Sequence, residues 1–213
     1  MKITNSDIEY LESRFPNLRY EEDSQKIIDE LDFCAAYDNE LGKVIVGNST
    51  KQANHLICDV FEIEICLGIL YGNGWPKVYE VGGRRCQIAK KRNVKIIDLH
   101  FYSDDNACCL GLKFSDNRSL NIRSFLEELV IPFFYRLSYT EKFGLAASQN
   151  DLWGEYSHGE EGLTEYLTEI SIFAKQNPSR NDLCPCGSGK KFKKCHIDDV
   201  ESLKRRSRVI VRE

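Results

Sequence analysis

Three cysteines and a histidine near the end of the chain have the spacing of a metal site. The pattern is Cys-x-Cys-x8-Cys-His, and its members are Cys184, Cys186, Cys195 and His196. Thiolates and imidazole are ligands that zinc prefers, and four of them complete a tetrahedral shell. Gly187 and Gly189 permit the tight turn that returns the second ligand pair to the first. Because no coordination position would stay open, the sequence predicts a structural zinc ion whose binding supplies the folding energy of a small module.

The stretch around these ligands resembles the SEC-C motif, first known as the zinc tail of the SecA translocation ATPase. The resemblance covers residues 180–196 and includes the run Gly-Ser-Gly-Lys-Lys-Phe at 187–192. In the SecA family the motif binds partner proteins and is associated with ribosomes, so the resemblance implies a docking module. The motif occurs on many unrelated proteins, and therefore it does not by itself define the function.

A second pair of cysteines lies in a segment that could hold a nucleophile. His100 and a polar turn precede Cys108 and Cys109, which Leu110 follows. A cysteine attacks as its thiolate, and a thioester keeps an acyl group activated for transfer to an amine or thiol. The alternative interpretation of the pair is a strand end with two buried thiols.

The hydrophobic pattern of the preceding residues predicts the elements that must position these groups. A helix begins near Ser6 and ends near Pro16. Strand-like runs follow at residues 26–37, 43–46, 56–67 and 77–81. The third of these runs is the clearest, because apolar and polar side chains alternate along it. Strands that run together, with helices towards the ends of the chain, are typical of an α+β fold with an antiparallel sheet.

Further elements are predicted on either side of the cysteine pair and beyond it. Residues 94–101 read as another strand or extended segment. Apolar residues recur at helical spacing from Ile122 to Phe133, and Pro132 should bend or end that helix because it lacks an N–H donor. A last helix is predicted at 161–174. The sequence thus divides into a body, a polar linker, the zinc module and a basic tail, at residues 1–174, 175–181, 182–197 and 198–213.

The order of these elements resembles that of ubiquitin-conjugating enzymes. Those proteins have an N-terminal helix, a four-stranded antiparallel meander, a His-containing segment, a thioester-forming cysteine followed by leucine, and C-terminal helices. The resemblance implies that Cys109 is the nucleophile, since it immediately precedes Leu110, with Cys108 as the alternative. His100 corresponds to the family histidine that holds the active-site loop in shape.

The short motifs at residues 98–104, 131–135 and 153–159 are similar to those of bacterial ubiquitin-conjugating-like proteins from CBASS anti-phage operons. The asparagine that stabilises the oxyanion in ubiquitin-conjugating enzymes has no counterpart here. Tyr102 stands near its place, and Asn106 or backbone N–H groups are candidates to replace it. His158 is a secondary catalytic candidate, and its alternative role is a packed residue beside Trp153 and Tyr156.

The resemblance predicts a bacterial transferase that forms a Cys109 thioester with the C-terminus of a partner protein. The implied partner is a cGAS/DncV-like nucleotidyltransferase of the same anti-phage system. A binding function is the main alternative: a catalytically silent adaptor or chaperone that docks partner proteins through the zinc module. A hydrolase that uses Cys109 with a distant histidine has no recognisable orienting motif.

The charge distribution and the cysteine content of the chain predict its compartment and its kind of partner. The chain has a net charge of −4, yet residues 176–213 carry ten basic and five acidic side chains, so an acidic body bears a basic tail. We interpret the tail as a solvated basic face, and expect neither a nucleic-acid partner nor a membrane partner. The N-terminus lacks an apolar signal core, which predicts a reducing cytoplasm and cysteines that are mostly thiols or metal ligands. Cys58 and Cys66 lie in apolar runs and are predicted to be small buried hydrophobes.

Overall fold

The structure is a computed structural model. It describes residues 1–38, 43–47, 54–70, 75–110, 121–147, 159–186 and 191–210. The predicted turn at residues 72–74 lies outside the described residues.

A capped helix opens the chain. Helix α1 spans Asn5–Arg14, and Thr4 is its cap: the Asp7 amide donates to Thr4 Oγ1 at 3.3 Å, and the Thr4 amide donates to Asp7 Oδ2 at 2.9 Å. This reciprocal pair satisfies two backbone donors that a helix start leaves open. Leu11 and Phe15 from this segment are 2% and 1% exposed, so the helix packs one apolar face on the core.

An antiparallel sheet follows, as predicted. Its strands are β1 (Leu18–Glu21), β2 (Lys26–Asp38), β3 (Lys43–Val46), β4 (Asn54–Leu70) and β5 (Pro76–Glu80). The order across the sheet is β1-β2-β4-β5, with β3 also paired to β2. On β4 every second residue from Phe61 to Ile65 is buried, because alternate side chains point to opposite faces of a sheet.

The position of β3 differs from a four-stranded meander. β1 pairs with residues 26–29 of β2, β3 pairs with residues 35–38, and β4 pairs along 26–37. A strand has only two edges, so β1 and β3 share the edge of β2 that lies opposite β4. The sheet therefore has five strands, and the consecutive hairpin order expected from the sequence is interrupted at β3.

Helix α2 (Arg84–Arg92) lies directly after β5 and was not predicted from the sequence. Gly83 precedes it with a positive φ of 75°, a conformation that glycine adopts without steric cost. The side chain of Glu80, 1% exposed, accepts the amides of Arg84 at 2.9 Å and Arg85 at 3.1 Å. A carboxylate that satisfies these open donors starts the helix, although it lies outside the usual capping position.

The prediction of a strand or extended segment at residues 94–101 is wrong. The structure has a 3-10 turn at Ile97–Leu99 instead. Asp98 Oδ2 accepts the Lys95 amide at 2.8 Å, and this local side-chain bond competes with an extended backbone. His100, at φ 61°, then ends the turn in the left-handed region.

The helix that was expected to bend or end at Pro132 does not end there. Helix α3 (Ile122–Phe125) runs into a π-helical turn at Leu126–Val130, and helix α4 (Ile131–Phe143) follows without a break. Pro132 is the second residue of α4 and directly follows the π-helical turn, in which the Ile131 amide donates to the Leu126 carbonyl five residues back. The wider π turn accommodates the proline, and the helical spacing of the apolar residues continues into α4.

Two compact units make up the described chain. The first holds the sheet and α1–α4 around a core of thirty buried residues. The second holds helix α5 (Gly159–Gln176) and helix α6 (Ile197–Ile210), and seven buried residues form its core: Tyr166, Ile170, Phe173, Cys184, Phe192, Ile197 and Val200. Helix α5 thus shares a core with the cysteine-rich segment, although the sequence predicted that it belongs to a body that ends at residue 174.

The cysteines of the sheet differ in part from the prediction. Cys34 and Cys58 stand opposite each other on β2 and β4 and form a disulfide, and Cys58 is exposed rather than buried. Cys58 faces the exposed side of β4, because the neighbouring Ile57 and Phe61 occupy the core face. Cys66 is 4% exposed and has a free thiol, as predicted, and burial raises its pKa to about 11.

No helix in the described ranges combines the length and the apolar character that crossing a bilayer requires.

Candidate functional site

A short antiparallel ribbon brings the predicted metal ligands together. Leu183 pairs with Lys191, and the Phe192 amide donates to the Asp182 carbonyl at 2.8 Å. The Lys193 amide donates to the Arg180 carbonyl at 3.0 Å. One arm of the ribbon ends at the first two cysteines and the other leads through the 3-10 turn Phe192–Lys194 to the last cysteine and the histidine. Gly187 and Gly189 lie outside the described residues.

The four ligand atoms are grouped closely enough to share one ion. Cys184 Sγ and Cys195 Sγ lie 3.2 and 3.3 Å from His196 Nδ1, and Cys186 Sγ lies 3.5 Å from Cys195 Sγ. All four atoms fall within 4.8 Å of one another. Tetrahedral zinc with ordinary bond lengths requires about 3.8 Å between sulfurs and about 3.6 Å between sulfur and nitrogen. The cluster therefore fits a metal ion, and its Cys3His donor set is consistent with zinc.

The surroundings of the cluster belong to the core of the second unit. Cys184 is 4% exposed, and the other three ligands are half-buried. The ring of Phe173 on α5 lies 5.3 Å from the ring of His196, centroid to centroid. The His196 carbonyl accepts the Val200 amide at 3.1 Å, so the last ligand is also the start of α6. A bound ion would thus join the ribbon, α5 and α6 into one packed unit.

The second candidate site is built on a hairpin in the first unit. Phe101 pairs with Cys108, the Tyr102 amide donates to the Ala107 carbonyl at 2.9 Å, and the Cys109 amide donates to the His100 carbonyl at 2.8 Å. The backbones of His100 and Cys109 therefore lie side by side on the two strands of the hairpin.

The turn of this hairpin is fixed to the sheet. Asp105 Oδ1 accepts the Ala107 amide at 2.9 Å, while Asp105 Oδ2 forms an ion pair with Lys77 and accepts the Tyr79 hydroxyl at 3.4 Å. Burial would raise the pKa of Asp105, but the bonds from Lys77 and Ala107 outweigh it and lower that pKa. Strand β5 thus holds the segment that carries the cysteines.

The two adjacent cysteines differ in accessibility. Cys108 is completely buried, and its amide donates to the Val78 carbonyl on β5 at 2.7 Å. Burial raises the pKa of Cys108 well above its usual value. Cys109 is a free, half-buried thiol, so it is the member of the pair that a reagent or substrate can reach.

Tyr102 contacts Cys109, and Arg136 interacts with it through its charge. The Tyr102 hydroxyl is hydrogen-bonded to the Cys109 thiol, and burial followed by the charge and hydrogen bond of Cys109 raises the Tyr102 pKa. Tyr102 therefore stays protonated and can donate a hydrogen bond. Arg136 on α4 is 9% exposed, and its charge interacts with both Cys109 and His100. Burial lowers the Arg136 pKa to about 10, which leaves it cationic at neutral pH.

His100 is neutral under the same conditions. Burial, followed by the charge of Arg136, lowers the His100 pKa to about 3, and Asp98 opposes this only weakly. A cavity of about 10 Å³ lies beside His100, and its walls include Arg136 and Thr140. The space holds one water molecule at most.

The remaining candidates lie elsewhere, and one important residue was missed. Asn106 is exposed at φ 60° in the hairpin turn, a conformation that asparagine tolerates well. His158 lies outside the described residues. Sequence reasoning assigned no role to Arg136, although a single cation inside the apolar run of α4 is the signal that would have indicated it.

Comparison with known proteins identifies the C-terminal motif alone. The SEC-C motif matches residues 180–197. The chain is 50% identical over 46 residues to protein translocase subunit SecA of Lawsonia intracellularis, and 65% identical over 47 residues to that of Chlorobium limicola. These matches cover 22% and 19% of this chain but 5% of each SecA subunit. No solved structure matches significantly. The second unit therefore carries a SEC-C motif, which is a metal-binding motif, on a chain that otherwise spans little of SecA.

Proposed function

We propose that the protein is a ubiquitin-conjugating-like transferase in which Cys109 accepts the C-terminus of a partner protein as a thioester. The observation that carries the proposal is the set of groups at Cys109: a half-buried thiol, hydrogen-bonded to Tyr102 and within the electrostatic reach of the buried Arg136. The α+β order, with the cysteine after an antiparallel sheet and before helices, supports it as well.

The chemistry needs placement more than acid–base machinery. The Cys109 thiolate attacks the carbonyl carbon of an activated C-terminus, which an activating protein supplies; a C–S bond forms and the activating group leaves. An amine of the acceptor then attacks the thioester, the C–S bond breaks, and the thiolate is regenerated. Holding the reacting groups together and stabilising the carbonyl oxygen are the contributions required of the protein.

The proposed partner is a cGAS/DncV-like nucleotidyltransferase of a bacterial anti-phage system, acting in the cytoplasm. This part of the proposal is supported by the resemblance of residues 98–104 and 131–135 to the CBASS proteins. The Cys3His cluster would hold a structural zinc ion, and the SEC-C unit around it would dock a partner protein.

A catalytically silent adaptor is the second candidate, and two observations favour it. Helix α2 stands between β5 and the cysteine hairpin, and the resemblance to ubiquitin-conjugating enzymes implied no helix at that place. The SEC-C unit also has its own compact core, as expected of a module that serves only for docking.

The deciding experiment uses Cys109→Ser protein, tagged and produced together with its native gene neighbours. The serine should trap the acyl group as an oxyester, and mass spectrometry should map it to the C-terminal residue of one partner. Cys86→Ser is the matched control, because Cys86 is an exposed free thiol on α2 and should not change the adduct. Recovery of the same partner without any adduct would refute the transferase and favour the adaptor.

A further inference from the structure

We propose that Cys34 and Cys58 form a reversible redox pair on the outer face of the sheet, and that the pair exchanges with small thiols and disulfides of the glutathione type. The disulfide between the two residues joins β2 to β4. Neither cysteine belongs to the groups at Cys109. The pair is therefore a second site of thiol chemistry in the first unit, and it does not depend on the proposed transferase.

The sheet itself brings the two sulfurs together. Cys34 and Cys58 are directly opposite each other in the antiparallel register of β2 and β4, and the register continues on both sides of them. Their neighbours in the chain Phe33, Ala35 and Ile57 are at most 3% exposed and belong to the core. Side chains that face each other in this way have Cβ atoms about 5 Å apart. Because the ladder and the core hold both backbones, the two thiols of the reduced pair stay opposite each other.

The disulfide is accessible to a reagent in solution. Cys58 is exposed and Cys34 is half-buried. Leu56 and Val60 lie on the same face of β4 as Cys58, and they are 55% and 41% exposed. Exposed disulfides are commonly the labile ones, in contrast to buried structural crosslinks. In the reducing cytoplasm that is proposed for this protein, the disulfides that do form are commonly transient or redox-sensing.

The difference in exposure assigns a role to each sulfur during reduction. A glutathione thiolate attacks Sγ of Cys58, the S–S bond of the protein breaks, and Cys34 leaves as a thiolate that takes a proton from water. A second glutathione thiolate then attacks the glutathione sulfur of the mixed disulfide and releases Cys58 as a thiolate. Two molecules of glutathione are thus oxidised to one disulfide, while the protein disulfide is reduced to two thiols.

Oxidation follows the same path in reverse. The Cys58 thiolate attacks oxidised glutathione, and one glutathione leaves as a thiolate. The Cys34 thiolate then attacks Sγ of Cys58, and the second glutathione leaves. Cys58 is therefore the attacking residue, and Cys34 is the resolving residue that the sheet already holds opposite it.

The bond secures an end of the β2–β4 ladder that few pairings hold. Beyond Cys34 the register shifts between Ala35 and Tyr37, and the pair Tyr37–Asn54 is the outermost one described. The bond also closes a loop of chain that contains β3 and the start of β4. Reduction should therefore loosen the start of β4 while the centre of that strand stays in the sheet.

Equilibration of the full chain with glutathione tests the pair, with each cysteine read by differential thiol labelling and peptide mass spectrometry. An excess of oxidised glutathione should produce the Cys34–Cys58 disulfide in most molecules, and an excess of reduced glutathione should return both thiols. Cys86, an exposed free thiol on α2, is the reference within the same protein. It should keep glutathione as a mixed disulfide under the oxidising condition.

Two serine variants separate the roles of the sulfurs. Cys34→Ser should accumulate the mixed disulfide at Cys58 roughly tenfold above the wild type, because the resolving thiol is absent. Cys58→Ser should form the mixed disulfide at Cys34 more slowly, because that sulfur is half-buried. The mixed disulfide at Cys86 should be the same in all three proteins. Equal rates at Cys34 and Cys58 in the two variants would overturn the assignment of roles.

Hydrogen exchange resolved by peptide shows whether reduction acts locally. Exchange should rise in β3 and at the start of β4, while residues 61–65 keep their protection. Thiols that stay free in excess oxidised glutathione would overturn the proposal, and so would a disulfide that survives excess reduced glutathione in the folded protein. A rise in exchange throughout β4 on reduction would also overturn it, since the sheet would then not hold the thiols in place.

Discussion

Replacing Cys184 with serine should remove the metal and unfold the second unit while the first unit stays intact. Cys184 is the most buried ligand, at 4% exposure, and it also belongs to the core of seven residues that α5 and α6 share. Serine keeps the size of the side chain but not the thiolate that a metal of this type requires. The substitution therefore tests the contribution of the metal ion to folding more than the contribution of side-chain packing.

The expected loss of stability in the second unit follows from the difference in size between the two cores. Thirty buried residues support the first unit and seven support the second, among the residues described. Structural zinc in small modules contributes about 10–16 kcal/mol to folding at neutral pH. A whole domain is commonly stable by only about 5–15 kcal/mol, so the second unit cannot remain folded without its ion.

Hydrogen exchange resolved by peptide is the appropriate assay, with metal content measured on the same sample. The wild type should hold one equivalent of zinc, and Cys184→Ser should hold none. Amides of α5 and α6 should lose their protection, whereas amides of β2 and β4 should exchange as in the wild type. Cys86→Ser should change neither the metal content nor the exchange.

The reasoning is refuted if Cys184→Ser lacks metal and still protects α5 and α6. The seven-residue core would then suffice by itself. Loss of protection in β2 and β4 as well would refute a different step, the independence of the first unit from the metal.

Two further predictions concern the first unit. Arg84 donates to Asp59 at 2.7 and 2.8 Å and to Glu141 at 2.7 and 2.9 Å, and so joins β4, α2 and α4. Arg84→Met should cost about 2 kcal/mol, because it removes charged hydrogen bonds and leaves Asp59 without a cation and Glu141 with Lys91 alone. Urea unfolding measures this cost, and a loss under 1 kcal/mol would show that the network contributes little. His100, with its pKa lowered from 6.5 to about 3 by burial and Arg136, binds a proton more readily in the unfolded chain, so stability should fall as the pH drops through that window by about 1.4 kcal/mol per unit. His100→Gln should flatten this fall in urea titrations from pH 7 to 5, and an equal slope in both proteins would contradict the assignment.

The elements that the sequence predicted well are those in which each residue's own chemistry decides its environment. β3 was predicted at its exact bounds, and the predicted runs for β2 and β4 lie within the observed strands. Their alternating apolar side chains have a period that only a sheet satisfies. The Cys3His cluster could be predicted equally well, because the types and the spacing of its ligands are those of a zinc site.

The elements that the sequence did not predict depend on contacts between residues distant in the chain, or on single side chains that start a turn or a helix. Helix α2 relies on Glu80, which lies ahead of the usual capping position, and the turn at Ile97–Leu99 relies on Asp98. The place of α5 in the second core depends on its packing against Cys184 and Phe192, which no local pattern reveals. The packing of α4 on the cysteine hairpin, through Phe133 and Phe101, likewise joins residues distant in the chain.

The π turn at Leu126–Val130 makes the orientation of α4 depend on a single residue. Such a turn holds one residue more than the regular α-helical path, and each residue of an α-helix rotates the chain by about 100°. Shortening the turn by one residue would restore a regular helix from α3 into α4. It would also rotate the face of α4 relative to α3 by that angle, so that Ser138 could not keep the hydrogen bond that it donates to Asp59 on β4 at 2.6 Å. One residue in the π turn therefore decides which side chains of α4 face the sheet.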